Sequence, residues 1–221
     1  MFATLGDGAM GETGAMQERD VEARELDHAR AAPRAVHDAK AAARPGLLAA
    51  RRATVAGRDR AADAAAIASY AVRLAAATGV PRGGTVAAYE ALPSEPPTEA
   101  TLAALAAGGI RVIVPVTLPD RDLDWCDPAD PARTPLGRDA IAAARLVLVP
   151  ALAADTGGTR LGRGGGSYDR ALTRRHRDAR VLAVLHPGEL RTDPLPCGDH
   201  DEPVDGVLTA EGVTWVSRAR A

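Results

Sequence analysis

The chain has 221 residues, of which 46% are hydrophobic, so it can bury a sizeable core and is too apolar for wholesale disorder. Its formal net charge of −2 gives no electrostatic reason to expect nucleic acid or an anionic membrane as a partner. No apolar run approaches the roughly 20 residues that span a bilayer, and the N-terminus does not have a signal peptide's basic start and apolar core. Cys126 and Cys197 are too few for a disulfide framework and do not have metal-ligand spacing. We therefore expect a cytoplasmic protein.

One residue stands apart in this composition. Lys40 is the only lysine among 27 basic residues, and all the others are arginine. A chain with a general preference for arginine can retain one lysine by chance, or it can retain the lysine because the chemistry of a site needs it. Composition leaves both interpretations open.

The first third of the chain is predicted to contain an irregular extension followed by two helices. Residues 1–35 are rich in glycine, alanine and charge without a sustained apolar period, which predicts a disordered or frayed extension. A single domain is expected over residues 36–221. The alanine-rich stretch 36–52 predicts a helix that Pro45 kinks or restarts. Residues 58–77 predict a second, amphipathic helix.

From residue 85 onward, apolar runs alternate with helical segments. The runs predict five strands, at 85–92, 110–118, 145–152, 180–186 and 203–209. Between them we predict a capped helix at 98–109, a short helix from Gly137 and a helix at 168–176. This alternation predicts an α/β fold, a three-layer α-β-α sandwich around a mostly parallel, Rossmann-like sheet. Sugar-phosphate isomerases and CoA-transferases have sheets of this kind.

The segment RLGRGGGSYDRAL, residues 160–172, follows the third of these runs. In open α/β sheets, ligands bind beyond the carboxyl ends of the strands. Consecutive glycines let backbone N–H groups converge on an anion, a following helix start adds favourable charge, and Arg160 and Arg163 supply charged donors. Asp169 beside phosphate oxygens suits Mg²⁺. The segment therefore suits a nucleotide polyphosphate with its metal, although a plain glycine turn with solvated arginines remains the alternative.

Two familiar phosphate-binding motifs do not match this segment. A Walker A loop needs a lysine after its last glycine, and no lysine is present here. The dinucleotide pattern G-x-G-x-x-G fails because Ser167 stands at the third glycine position after Gly162 and Gly164. The segment therefore matches neither of these two motifs.

The stretch LVPALAADTGGTRLGRGGGSYDRAL closely resembles the signature of the 5-formyltetrahydrofolate cyclo-ligase (5,10-methenyltetrahydrofolate synthetase) family. KAAARPGLLAARRA resembles the family's N-terminal K-x-x-x-R helix. YEALPSEPPT resembles its strand-end S-x-x-x-E-x-x-T segment, and HDEPVDGVLT resembles its H-D-x-x-V-D-x-V-x-T ending. The resemblance extends from about Lys40 to Thr209.

The resemblance implies an ATP- and Mg²⁺-dependent enzyme that converts 5-formyltetrahydrofolate to 5,10-methenyltetrahydrofolate and releases ADP and phosphate. ATP first phosphorylates the formyl oxygen, and N10 of the folate then attacks the activated carbon. Phosphoryl transfer needs positioning and charge neutralisation more than a protein nucleophile, so no catalytic triad is expected. The implied substrates are these small molecules; from the sequence we expect no nucleic acid and no membrane as partner, and a monomer.

The resemblance also implies roles for individual residues. Those expected at ATP are Lys40, Arg44, Arg160, Leu161, Gly162, Arg163, Gly164, Gly165, Gly166, Ser167 and Tyr168. Those expected at the formyl-folate are Glu90, Glu95 and the run Arg163, Gly164, Gly165, Gly166 and Ser167. Asp169 and Asp205 are expected to hold Mg²⁺.

Two departures from the family pattern keep a second function open. Ser167 replaces one tyrosine of the common G-Y-Y-D, and the family's longer glycine-rich segment is reduced here to the Pro/Asp-rich residues 120–137. A degenerate, non-catalytic paralogue that binds nucleotide or folate is therefore the alternative. A third possibility, a relative of the sugar-phosphate isomerases or CoA-transferases, rests on fold analogy alone.

Overall fold

The protein is described by a computed structural model that gives the backbone of residues 11–216 and the side chains of residues 34–216. The helices in this range are α1 (Gly11–Ala56), α2 (Arg60–Ala77), α3 (Glu99–Ala107) and α4 (Ser167–Leu172), with a 3-10 helix at Arg138–Ala143. The strands are β1 (Thr85–Ala87), β2 (Arg111–Thr117), β3 (Leu123–Cys126), β4 (Ala144–Pro150), β5 (Ala153–Asp155), β6 (Arg160–Leu161), β7 (Arg180–Val184), β8 (Leu190–Arg191), β9 (Gly206–Thr209) and β10 (Gly212–Trp215).

Seven strands form the main sheet, in the order β10-β9-β7-β4-β1-β2-β3. The five central strands are parallel to one another, and the edge strands β3 and β10 pair antiparallel with β2 and β9. The five parallel strands are the five predicted from the apolar runs, so the mostly parallel α/β architecture is confirmed. The two edge strands were not predicted.

The central strand β4 shows why the sheet is covered on both faces. Leu146 and Leu148 lie in the core on one face, while Val147 and Val149 lie in the core on the other, and all four are at most 1% exposed. Helices α2 and α3 pack on the first face, whereas α4 and the 3-10 helix pack on the second. Each fully buried side chain of this size contributes about 1.5–3 kcal/mol, so the alternation stabilises both outer layers.

A small second sheet, in the order β6-β5-β8, includes the first two residues of the glycine segment as β6. The buried carboxylate of Asp155 organises it by accepting the backbone N–H groups of Gly157 at 3.0 Å, Thr159 at 2.9 Å and Leu195 at 2.8 Å. A carboxylate that accepts three backbone N–H groups replaces the ladder bonds that such short strands cannot supply. The glycine segment is therefore anchored at its start and irregular only after Leu161.

Helix α1 differs from its prediction in two respects. It begins at Gly11, so its backbone is helical through part of the segment expected to be a frayed extension; residues 1–10 lie outside the described range. It also continues without interruption through Pro45, so a restart of the helix at that residue is wrong. Arg44 and Arg51, on either side of Pro45, each donate to a carbonyl of the main body, and such tertiary contacts offset a proline cost of about 3 kcal/mol.

Three smaller helix predictions also need correction. Helix α4 ends at Leu172 instead of residue 176, and the short helix predicted from Gly137 is a 3-10 helix. Thr98 occupies the N-cap position of α3, but its hydroxyl donates to the carbonyl of Tyr89 at 2.6 Å and makes no capping bond. The Thr98 hydroxyl therefore makes a tertiary hydrogen bond in place of a capping bond. Within residues 11–216, the helices are all too short or too polar to cross a membrane.

Candidate active site

A cavity of about 780 Å³ opens at the carboxyl ends of the parallel strands. Its walls come from α1, the segment after β1, the ends of β2 and β4, and the glycine segment before α4. This volume lies in the range typical of small-molecule sites. The predicted ATP and substrate residues all line it: Lys40, Arg44, Glu90, Glu95, Arg160, Leu161, Gly162, Arg163, Gly164, Gly165, Gly166, Ser167 and Tyr168.

The glycine segment forms one wall of this cavity with bare backbone. Gly164, Gly165 and Gly166 have φ angles of +100°, +117° and +67°, a region that side chains with a Cβ rarely adopt. Three such residues in a row leave peptide groups directly against the cavity, as an anion-binding loop requires. Helix α4 follows at once, but with six residues its dipole adds little.

Helix α1 brings two cationic side chains to the cavity beside the glycine segment. The ammonium of Lys40 donates to the carboxylate of Asp201, and Nε of Arg44 donates to the carbonyl of Gly162 at 3.0 Å. Burial raises the pKa of Asp201, but hydrogen bonds from the Gly198 N–H and from Lys40 outweigh it and leave that pKa below its usual value. Asp201 is therefore ionised at neutral pH and holds Lys40 at the cavity.

The two arginines of the glycine segment are also held by acids. Arg160, almost fully buried, donates to Asp169 at 2.6 Å. Arg163, 44% exposed, donates to Glu95 at 3.3 Å and to the hydroxyl of Ser94 at 2.9 Å. Charged donors at this wall therefore already pair with oxygen atoms, and an anionic ligand would exchange with those oxygens.

The two predicted substrate carboxylates differ in their surroundings. Glu95 is 5% exposed, and one of its oxygens accepts the Leu92 N–H at 2.9 Å. Glu90 is exposed at the rim and pairs with Arg133 at 2.6 Å. A buried carboxylate can select a ligand by its donor groups, whereas a solvated one contributes little. Glu95 is therefore the stronger candidate for recognition.

The predicted metal ligands are not brought together. Asp169 lines the cavity, but Asp205 does not. The carboxylate of Asp205 accepts the backbone N–H of Val181 at 2.8 Å, at the start of β7 and thus at the amino end of the sheet, and faces Arg180. The residue from the same C-terminal motif that reaches the cavity is Asp201.

Several cavity residues were not among the predicted site residues, including His37, Arg51, Tyr89 and Asp201. Helical spacing could have revealed two of them. His37 and Arg51 share one face of α1 with Lys40 and Arg44, because offsets of 3, 4 and 7 residues follow the helix period. Asp201 stands in a motif already noted, and Tyr89 carries no signal apart from its position after a strand.

Arg51 makes a buried ion pair that joins α1 to the sheet. Its guanidinium donates to both oxygens of Glu189, at 2.7 and 2.6 Å, and to the carbonyl of Ala151 at 2.6 Å. Glu189 in turn accepts the backbone N–H of His186 at 2.8 Å. Burial lowers the pKa of His186, so its ring is neutral at pH 7. This network fixes the ends of β4 and β7 beneath the cavity.

Buried polar atoms with no hydrogen-bond partner gather at this cavity. Seven such atoms occur among side chains 34–216, and four belong to residues that line it: Arg51 Nη1, Tyr89 OH, Arg160 Nε and Tyr168 OH. Burial raises the pKa values of both tyrosines, so both hydroxyls are neutral. Unsatisfied groups of this kind are rare in native proteins and often mark a place that a ligand completes.

A largely parallel α/β sheet with a glycine-walled, arginine-rich cavity at its strand ends defines a small-molecule-binding α/β protein suited to an anionic ligand. The sequence model of the 5-formyltetrahydrofolate cyclo-ligase family matches residues 36–210, and the chain belongs to this family. It is therefore an enzyme of the cyclo-ligase type. A protein named 5-formyltetrahydrofolate cyclo-ligase, from Mycolicibacterium smegmatis, is 38% identical over 144 residues, 58% of this chain and 74% of that protein.

Two solved structures share the fold. The 5,10-methenyltetrahydrofolate synthetase of Mycoplasma pneumoniae superposes with a TM-score of 0.62 at 19% identity, over 77% of this chain and 98% of that one. The 5,10-methenyltetrahydrofolate synthetase of Aquifex aeolicus gives a TM-score of 0.55 at 18% identity, over 79% and 95%. At such identities the likeness supports the fold.

Proposed function

We propose that the protein converts 5-formyltetrahydrofolate to 5,10-methenyltetrahydrofolate at the expense of ATP, with release of ADP and phosphate. The observation that carries this proposal is the cavity itself. The cavity combines a glycine wall and the cations Lys40, Arg44 and Arg160 with the buried carboxylate Glu95, in a member of the cyclo-ligase family. One side suits a polyphosphate, and the other suits a ligand rich in hydrogen-bond donors.

The phosphate side is formed by α1 and the glycine segment. Lys40 presents a compact charge from α1, and Arg44 packs against Gly164, with its guanidinium carbon 3.4 Å from where a Cβ on that glycine would lie. Arg160 approaches from the base of the loop. We assign the ATP phosphates to this side because these three cations neutralise the charge that phosphoryl transfer must overcome.

The folate side is formed by the segment after β1. The pterin ring of a folate has a 2-amino group and an N3–H next to each other, and a carboxylate accepts from both. Glu95 is buried, ionisable and held in place by Leu92, so it fits this role. Arg163, its present partner, would then turn to the formyl or phosphate oxygens. Glu90 contributes at the rim.

The chemistry proceeds in two steps. The formyl oxygen attacks the γ-phosphorus of ATP, and ADP leaves. N10 then attacks the formyl carbon and loses its proton, and the phosphorylated oxygen departs as inorganic phosphate. The residues of the cavity act by orienting the reactants, by exposing charged donors to the developing negative charge, and by excluding water. A protein nucleophile is not required.

Mg²⁺ fits the cavity next to Asp169 and Asp201. Residues 34–216 contain no group of three or more acidic, histidine or cysteine side chains that could hold a metal ion alone. Mg²⁺ commonly takes one or two carboxylates and completes its shell with phosphate oxygens and water. When bound, it would neutralise charge on the β- and γ-phosphates. We therefore propose Asp201 in place of Asp205 as the second carboxylate, because Asp201 lines the cavity and Asp205 does not.

The degenerate-paralogue alternative rests on the short 120–137 segment, and the structure shows what that segment forms. Its strand β3 pairs with β2, Leu123 and Arg121 line the cavity, and Trp125 is fully buried beneath them. The short segment therefore still contributes side chains to the cavity, which favours the active enzyme. The monomeric state and the cytoplasmic location remain predictions from the sequence.

One assay tests the proposal. The full-length protein is mixed with 5-formyltetrahydrofolate, and the absorbance of methenyltetrahydrofolate is followed with and without ATP and Mg²⁺, while ADP is measured in parallel. We expect product only when both are present, with one ADP per methenyl product. Binding of ATP or folate without turnover would instead establish the non-catalytic paralogue, and ADP release without methenyl product would assign another reaction.

A further inference from the structure

Tyr89 has an unusual position for a tyrosine. It follows β1, lines the cavity and is only 3% exposed, yet its hydroxyl has no hydrogen-bond partner among the described residues. Its backbone is fixed, because its carbonyl accepts the hydroxyl of Thr98 at 2.6 Å. A buried hydroxyl without a partner destabilises the free protein, and phenylalanine would fill the same space without that cost. The hydroxyl therefore needs an explanation outside the free protein.

The surroundings of Tyr89 indicate which kind of ligand atom its hydroxyl suits. Glu95, six residues further along the same segment, places a buried carboxylate at the same wall. Burial raises the pKa of Tyr89 well above its usual value, and the nearby charge of Glu95 raises it further. The hydroxyl is thus always protonated. The Arg51–Glu189 pair also lies close enough to Tyr89 to affect its pKa. A strong acceptor, Glu95, and a neutral donor, Tyr89, therefore line the same cavity.

This pair matches one edge of the pterin ring. That edge presents two donors, the 2-amino group and N3–H, followed by one acceptor, the 4-oxo oxygen. We propose that Tyr89 is a specificity-determining residue that donates its hydroxyl to the 4-oxo oxygen, while Glu95 accepts from the two neighbouring donors. The inference rests on the proposed function, because it assigns the 4-oxo-pterin edge to the Glu95 side of the same cavity.

The assignment predicts discrimination as well as affinity. A site that holds a polar group to donate to a ligand oxygen rejects an analogue without that oxygen, because the polar group is then left unpaired. The 4-amino-4-deoxy analogue of 5-formyltetrahydrofolate replaces only this oxygen, and its amine places a donor against the Tyr89 donor. The wild-type protein should therefore prefer the 4-oxo compound, by about tenfold or more.

The test measures dissociation constants of the two compounds by calorimetry without ATP, so that nothing turns over. Four full-length proteins are compared: wild type, Tyr89→Phe, Tyr168→Phe and Thr101→Val. The hydroxyl of Thr101 is also buried and unpaired, but it lies in α3 and does not line the cavity, so this variant is the matched control. Melting temperatures of the unliganded proteins are recorded beside the binding data.

We expect Tyr89→Phe to keep or raise the melting temperature and to reduce the 4-oxo preference to about threefold or less, while Thr101→Val raises stability with the preference intact. An unchanged preference in Tyr89→Phe overturns the assignment, and so does loss of the preference in Tyr168→Phe alone, since the donor is then Tyr168. If wild type binds neither compound, the proposed function fails as well; if it binds both equally, only the Tyr89 assignment fails.

Discussion

Two ion pairs on the same face of α1 have opposite relations to the cavity. The buried pair, Arg51–Glu189, is 1% and 9% exposed, with two hydrogen bonds between the charges and a third to Ala151. The cavity pair, Lys40–Asp201, is 14% and 17% exposed and has one contact. Residues eleven positions apart on one helix thus make similar contacts, and their surroundings decide whether the contact anchors the fold or can exchange with a ligand.

Helix α1 therefore both anchors itself to the sheet and presents a cation to the cavity. Desolvated charges that satisfy each other cannot exchange partners without a large cost, so the buried pair holds α1 in place. A partly solvated lysine can transfer from a carboxylate to a phosphate at little cost, because both are anionic oxygen acceptors. The anchored end of α1 then keeps Lys40 at a fixed distance from the glycine segment.

The largest expected effect comes from breaking the buried pair. Arg51→Met should destabilise the protein by about 3–5 kcal/mol, because Glu189 is left buried without its partner. Urea unfolding measures the change. Arg52→Met is the matched control, since Arg52 is the next residue of α1 and is exposed; it should change stability by about 0.5 kcal/mol or less. Equal effects of the two variants would remove the anchoring role from Arg51.

Lys40→Arg should affect activity without affecting the fold. We expect stability close to that of wild type and kcat/KM lower by about 10- to 150-fold, because a planar guanidinium places its donors differently from a compact ammonium at a site where charge-assisted bonds contribute about 1.5–3 kcal/mol. Steady-state kinetics at saturating ATP measures it. Arg34→Lys, at an exposed position of the same helix, should leave the kinetics unchanged. Full activity in Lys40→Arg would mean that the lone lysine is retained by chance.

The acid of the cavity pair provides the third test. Asp201→Asn should lower activity at least about tenfold and raise the Mg²⁺ concentration needed for half-maximal rate, because it removes one charge facing Lys40 and the metal. Asp205→Asn, which keeps an oxygen for the Val181 N–H, should keep its activity and lose only about 1 kcal/mol of stability. Full activity in Asp201→Asn together with lost activity in Asp205→Asn would instead make Asp205 the metal ligand.

The smallest effect is expected from shortening α1 at its start. Deletion of residues 1–35 should leave kcat and the unfolding midpoint almost unchanged, because both ion pairs lie beyond residue 36 and the family match begins there. A version that begins at residue 46, and so removes Lys40 and Arg44, serves as the inactive control. Loss of activity in the first deletion would show that the N-terminal segment belongs to the functional domain.

The strands that the sequence predicts differ physically from the edge strands that it does not. The five parallel strands were found because burial on both faces makes each a continuous apolar run, as in β4. The edge strand β3 was missed because its sequence, LDWC, is set between aspartates and is defined by its partner β2. Such edges depend on tertiary pairing more than on local pattern.

The site shows the same division. Motif residues that follow strand ends, from Arg160 to Asp169, all reach the cavity, since the carboxyl ends of parallel strands lie at one edge. The choice between Asp201 and Asp205 could not be made in the same way. They are four positions apart, and only the entry of β9 into the sheet decides that the second lies at the amino end. The unpaired hydroxyl of Tyr89 is a property of packing and has no signature in sequence.

In the proposed reaction, ATP phosphorylates the formyl oxygen in this cavity. The most direct measurement uses 5-formyltetrahydrofolate labelled with ¹⁸O at the formyl group, with ATP and Mg²⁺ supplied, and mass spectrometry of the inorganic phosphate released. We expect one ¹⁸O atom in each phosphate, formed in step with methenyltetrahydrofolate. Unlabelled phosphate, with the ¹⁸O recovered in water, would contradict it, because the formyl oxygen would then leave without ever binding phosphorus.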